Sequence, residues 1–430
     1  MTKCVLLTID SLRYDVCTKE NLPDSFETFA DDFVEYSSAY SHGVATPFAF
    51  PGLIAAAHPI GNGNLPEEQP HLPELIPGKS IAFTNNGHLS EKRGYSRGFD
   101  EFYAKLPSGE VKSSIIERLK DIKWLRESET VRMLYQYLST IGNSEELPVP
   151  YTPSSDVTDF LLEKLRDSNP DFLWGHYMDP HTPYHPDYAT EGVSNLPSSS
   201  ELVDLDNRIV SASCGAEDLS KEELDFSFKL YQQNIQYMDE HLGRLLKSLR
   251  DQPWYDDALI IVTSDHGDLF GENGLLFHQW NYDPHEELVH VPLWVKYPDN
   301  MNGGTSVDYN VSHSDIAQTI ATIFESTDKI DNSYVEDLRS GSKRHIVSLS
   351  NSSKRLIETN GHKILRRDGS TETEGDVSDR GNERLQKIEF PNIMTSTGVV
   401  LGAEDDEKYV DSNSGEDEEL NEQLRALGYR

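Results

Sequence analysis

Basic charge is what this chain has least of relative to its size. Lys and Arg total 38 against 74 Asp and Glu, a formal net charge of −36 at pH 7. Such an excess of acid excludes the basic groove that nucleic acid requires, and it repels anionic membrane surfaces. Cysteine is nearly absent too. Cys4, Cys17 and Cys214 form neither a disulfide framework nor a zinc-ligand spacing. Long apolar runs are also missing: no stretch approaches the ~20 residues of a membrane span. Met1-Thr2-Lys3 leads straight into a strand pattern with no apolar signal region. The expectation is a cytoplasmic protein with no nucleic-acid or membrane partner. Self-repulsion on this scale requires screening, which points to adaptation to high salt, as in a halophilic archaeon.

What is present is room for one large domain and a smaller one in 430 residues. The most informative stretch is Ala258–Gly267. Leu259 to Thr263 is a short, β-branched apolar run, the pattern of a strand buried on both faces. It breaks off at Ser264-Asp265-His266-Gly267. In an open α/β sheet, sites form beyond the carboxyl ends of strands, so Asp265 and His266 would stand at that rim. A carboxylate beside an imidazole is a reasonable metal-ligand pair, although a turn capped by Asp explains the same letters. Cys4 to Ile9 repeats the design and ends in Asp10. If the two strands are parallel neighbours, Asp10 and Asp265 converge and need a cation between them.

Other segments carry weaker signals. Pro51 suits the first turn of a helix through Ala57, which places Thr46, the one hydroxyl between Ser41 and that helix, near a positive helix end. A plain loop threonine is the competing reading. Ser80 to Thr84 reads as a strand ending in Asn85-Asn86-Gly87-His88. Leu72 to Ile76 reads as a short amphipathic turn, and residues 104–150 as an insertion bordering the site. Val157 to Leu165 and Glu223 to Leu249 have helical stripes. Phe172 to Tyr177 is a strand leading into Asp179-Pro180-His181-Thr182-Pro183, a stiff loop that holds His181. His278, His285 and His290 follow, with Val289 to Val295 as a further strand and Ile316 to Phe324 as a helix. From about 341 the pattern turns to short alternating runs, His345–Leu349, Arg355–Thr359 and His362–Leu365, expected to form a small antiparallel sheet. Residues 403–422 read as a solvated acidic tail.

Taken in order, these motifs resemble the sulfatase branch of the alkaline-phosphatase-like superfamily, and within it halophilic archaeal members. The resemblance rests on Ile9-Asp10-Ser11-Leu12, Thr46–Gly52, Arg97-Gly-Phe-Asp-Glu-Phe102, His176–Tyr184, Thr263–Gly267, Val291-Pro-Leu293 and Leu424–Tyr429. It implies an α/β three-layer sandwich with a mixed, mostly parallel sheet over 1–340. A small C-terminal antiparallel subdomain at 341–400 and an acidic tail at 401–430 complete the expected organisation. It also implies that Asp10, Asp265 and His266 bind a divalent metal, with manganese favoured over calcium or magnesium by the histidine. His88, His181 and His278 fall where relatives bind the ester oxygens or protonate the leaving group. The Asp-His form of the metal set resembles phosphate- and phosphonate-ester relatives, since sulfatases commonly have Asn at the position of His266.

Four positions depart from the family pattern. Sulfatases carry Cys or Ser, any residue, Pro, any residue and Arg, and convert the first to formylglycine. The matching run here is Ala49-Phe50-Pro51-Gly52-Leu53, so no formylglycine is expected and the anion-binding Arg is missing. Asn86 stands near a usual lysine, and Ser11 replaces the second of two aspartates. Thr46 is the nearby hydroxyl able to serve as nucleophile. Two functions follow: a metal-dependent hydrolase of sulfate, phosphate or phosphonate esters of small molecules or glycans, or a non-catalytic relative that binds an anionic glycan or partner.

Overall fold

The computed structural model describes residues 2–57, 63–104, 151–182, 184, 205, 208, 219–330, 335–341 and 345–391. The expected insertion, apart from its first residue, and the acidic tail lie outside them. The chain starts with β1 (Cys4–Ile9), α1 (Pro23–Asp32), β2 (Val34–Tyr36), β3 (Ala39–Tyr40) and α2 (Thr46–Ala55). A one-turn α3 (Leu72–Leu75), β4 (Ser80–Phe83), β5 (Glu101–Tyr103), α4 (Ser154–Asp167) and β6 (Phe172–Tyr177) come next. The long α5 (Lys221–Arg250) precedes β7 (Leu259–Ser264), α6 (Glu286–Val289), β8 (Leu293–Lys296), β9 (Thr305–Val307), β10 (Val311–Ser312) and α7 (His313–Ile323). Strands β11 (Ile346–Leu349), β12 (Ser353–Glu358), β13 (Gly361–Arg366) and β14 (Thr371–Gly375) and helix α8 (Asp379–Lys387) follow.

The main sheet has eight strands in the order β5-β4-β6-β1-β7-β8-β2-β9. It is mixed and mostly parallel: β8 runs antiparallel to both its neighbours, and every other pairing is parallel. Strand side chains alternate between faces, and that alternation separates two cores. Val5, Leu7 and Ile9 of β1 join the cluster under α1, α4 and α5. Cys4 and Leu6 face the cluster under α2, α3 and α7. The result is a three-layer sandwich. A separate antiparallel sheet, β11-β12-β13-β14, packs Ile346, Val347, Leu349 and Leu356 against Val44, Ala45 and Phe48 at the start of α2. No helix among the described residues is long and apolar enough to cross a membrane.

The stripe expected for α5 at Leu224, Phe228, Tyr231, Ile235, Met238, Leu242 and Leu245 is buried from Tyr231 onward, with Leu224 and Phe228 half-buried. Ser220 and Glu223 exchange bonds with each other's backbone N–H groups, which sets the helix start. Two local expectations are corrected. Helix α2 begins at Thr46 with Pro47 in its first turn, so Pro51 lies inside it and the helix stops at Ala55, where Ala56 turns left-handed at φ 47°. The stretch 289–295 is not one strand. Pro292 has no N–H for a ladder; residues up to Val289 close a short helix, and β8 starts only at Leu293.

Candidate active site

The register brings the two acidic strand ends together. In the parallel pair β1–β7, Ile9 stands opposite Ser264, so Asp10 and Asp265 leave the sheet side by side. Ser11 then adopts φ 59°, a left-handed conformation that a non-glycine residue holds at a cost. The turn directs its N–H to Asp265 Oδ1 at 3.2 Å and its hydroxyl to Asp10 Oδ1 at 3.0 Å. Beyond β7, Gly267 lets the backbone of α6 approach: a Cβ there would stand 2.0 Å from the Glu287 carbonyl oxygen. Its N–H donates to the Leu288 carbonyl at 2.9 Å.

One donor atom each from Asp10, Asp265 and His266 lies within 4.8 Å of the others, and all three residues are fully buried. Thr46, at the first position of α2, donates to Asp265 Oδ2 at 3.0 Å and lies 3.5 Å from Asp10 Oδ2 and 3.4 Å from His266 Nε2. Asn86, just past β4, donates from Nδ2 to Asp10 Oδ2 at 2.8 Å, while its Oδ1 accepts the His88 N–H at 2.8 Å. The rings of His181 and His278 lie 5.0 Å apart, and those of His266 and His278 4.3 Å. The eight residues singled out in the sequence therefore form one connected cluster at the carboxyl ends of β1, β4 and β7.

The electrostatics of the pair are opposed. Burial works against charge on Asp10, but the imidazoles of His181, His176 and His266 hold its carboxyl well below the usual range. Asp265 is pushed well above that range by burial and by the negative charge of Asp10. Burial lowers His266 to about 3, with His278 adding to the effect. Burial also lowers His278 to about 4 and pushes His181 and His88 down. At neutral pH the imidazoles are therefore uncharged, the form in which nitrogen binds metal. Among the described residues no Lys or Arg side chain donates to Asp10 or Asp265. Two buried carboxylates, a neutral imidazole and no cationic partner make a donor set that fits a divalent cation.

Two residues emerge that the sequence did not single out. His176, inside β6, brings Nε2 to 3.3 Å from Asp10 Oδ2, while its Nδ1 meets the Thr8 hydroxyl at 2.9 Å. The available signal was a lone histidine in an otherwise apolar buried strand. Asp268 contacts His278 Nδ1 at 2.6 Å, and burial raises its carboxyl to about 7. Other candidates serve the framework. Asp179 accepts the Ser154 N–H at the start of α4. His290 stacks on Tyr14 at 4.2 Å and bonds the Ser37 carbonyl at 2.9 Å, while His285 precedes α6.

A three-layer sandwich that gathers buried carboxyl and imidazole groups at its parallel strand ends is the architecture of alkaline-phosphatase-like proteins. The chain belongs to the Sulfatase family, whose model matches residues 3–326. It is 40% identical over 81 residues to choline-sulfatase of Rhizobium meliloti, covering 19% of this chain and 15% of that protein. The chain spans less than half the length of the curated relatives it matches. Among solved structures it resembles a 2-O GAG sulfatase at TM-score 0.60 and 14% identity, over 90% of this chain and 87% of that one. The phosphonate monoester hydrolase of Agrobacterium radiobacter is similar at TM-score 0.58 and 16% identity, over 87% of this chain and 89% of that one.

Proposed function

We propose that the protein hydrolyses sulfate, phosphate or phosphonate esters of small molecules or glycans, with a divalent cation bound by Asp10, Asp265 and His266 and with Thr46 as nucleophile. The observation that carries the reading is the Thr46 hydroxyl, 3.0 Å from Asp265 Oδ2 and turned into the donor set. Ala49 and Leu53 are both fully buried within α2, so the helix position that carries formylglycine in sulfatases supplies no reactive group here. Manganese is favoured by the imidazole ligand.

When bound, the cation would supply positive charge for the ester oxygens and lower the proton affinity of the neighbouring hydroxyl. Thr46 Oγ1 attacks sulfur or phosphorus and passes its proton to Asp265 Oδ2. The bond from Oγ1 forms as the bond to the leaving oxygen breaks. His278, fixed through Nδ1 by Asp268, gives that oxygen a proton and takes one from the Asp268 carboxyl. Asn86 holds Asp10 in place. Water then attacks the covalent ester, passing a proton through His278 back to Asp268, while the bond to Thr46 Oγ1 breaks and Asp265 returns its proton to that oxygen. His181 and His88 border the space the ester would fill, and the chain's charge of −36 supports work in molar salt.

The test is turnover of an aryl sulfate and an aryl phosphonate by wild type and Thr46→Ala, with manganese in molar KCl. Wild type should turn over one of them, and Thr46→Ala should lose about 10³-fold or more while still binding manganese. Turnover that survives Thr46→Ala removes Thr46 as nucleophile. No turnover of either ester leaves the non-catalytic anion-binding reading, which the alanine at position 49 favours.

A further inference from the structure

Arg93 is an anomaly in the charge pattern. Acids outnumber bases 74 to 38 in this chain, and most other enclosed or partly enclosed arginines among the described residues have carboxylates against them. Arg13 pairs with Asp15 and Glu272, Arg355 with Glu286, Arg97 with Glu74, Arg339 with Asp337, Arg366 with Asp283 and Arg208 with Glu223. Arg93 is only partly exposed, yet its guanidinium makes no hydrogen bond and no ion pair among the described residues. A guanidinium left without a carboxylate in so acidic a chain, and still reached by solvent, keeps its N–H donors available to an incoming oxyanion.

Its position is fixed from the site outwards. Asn86, which holds Asp10, is followed by His88 and a tight turn in which Gly94 N–H donates to Glu91 O at 2.9 Å and Tyr95 N–H to Ser90 O at 3.2 Å. The Arg93 carbonyl accepts from Leu65 at 2.9 Å. Tyr95 packs its ring edge-on to Phe50 at 6.2 Å, and Phe50 meets His176 at 5.3 Å. The turn is thus clamped to α2 and to the histidine beside Asp10. The positive charge of Arg93 bears on His88, where it adds to burial in keeping the imidazole neutral, and on Tyr95. It lies on the His88 side of the cluster.

We propose that Arg93 is a second anion-recognition point, taking a carboxylate, sulfate or phosphate that the substrate carries in addition to its reacting ester. This rests on the ester-hydrolase reading for the chemistry at Thr46, and it assigns that site a substrate class: esters whose leaving group is itself anionic. A planar guanidinium suits this task because it meets an oxyanion with two parallel N–H bonds.

The test is calorimetric binding of glucosamine 6-sulfate and of glucosamine 2-N,6-O-disulfate to the manganese-loaded protein at constant ionic strength. Wild type should bind the disulfate about tenfold tighter or more. Arg93→Ala should bring the ratio close to one, and Arg93→Lys should keep part of it. Circular dichroism checks that both variants fold. A ratio near one in wild type, no binding of either probe, or a ratio that survives Arg93→Ala overturns the proposal. Equal weakening of both probes by Arg93→Ala also overturns it, because Arg93 would then hold the reacting sulfate itself. If the ratio behaves as expected but no ester is turned over, the hydrolase reading fails and the anion subsite stands.

Discussion

Two polar regions of this molecule are built on opposite plans. At the rim of the main sheet, Asp10 and Asp265 meet hydroxyl, amide and imidazole groups and no cationic side chain among the described residues. At the seam with the small antiparallel sheet, carboxylates have their cations. Glu286 pairs with Arg355 at 2.8 Å, and Asp283 with Arg366 at 2.6 Å. The contrast separates a charge cluster arranged for a visitor from one already neutralised within the chain. A region of the second kind stabilises; one of the first kind is unfavourable until something binds.

The contrast can be broken most directly at Asp268, whose carboxyl bonds a rim histidine while, among the described residues, only its backbone carbonyl meets a cation, Arg13 Nη1 at 3.1 Å. Asp268→Asn keeps the shape but removes the proton that His278 would draw on, so kcat should fall about 10²-fold. Steady-state kinetics check this, and thermal unfolding should show little loss of stability. At the seam the sign inverts. Arg355→Ala should leave kinetics nearly intact per folded molecule and cost about 1–2 kcal/mol, read from denaturant unfolding. That figure allows for solvent screening, since the Glu286 side chain is 45% exposed.

A pH series sharpens the same point. Although partial burial works against its charge, Glu286 is held down to about 2, bonded by His290 and facing Arg355 and Tyr40. A depressed carboxyl contributes its stability above the ordinary unfolded value of about 4.5 and loses it as pH falls towards 2. Wild type and Glu286→Gln should therefore differ most above pH 5 and converge near pH 2 in thermal unfolding. The smallest and least local effect is salt. KCl should raise Tm by screening the surface charge, and the buried rim cluster should respond little to it.

How much of this was legible follows from how local each signal is. Strands β1 and β7 could be read because apolar runs end abruptly in Asp10 and Asp265, and their pairing was a natural consequence of a parallel sheet. The convergence of Asp10, Asp265 and His266 followed from those two ends. Strand β14 was invisible: Thr371–Gly375 is fully exposed, so no alternation marks it. Pro51 misled because proline usually marks a helix start, a preference that Pro47 satisfies here. His176 and Asp268 owe their importance to partners 166 and 10 residues away, which no local pattern displays.

The left-handed turn at Ser11 has a consequence for the proposed cation. By tying both strand ends through one residue, it shapes the claw in advance. Capture would then demand little rearrangement of the chain, and a chelator should withdraw the ion from a receptacle that stays assembled.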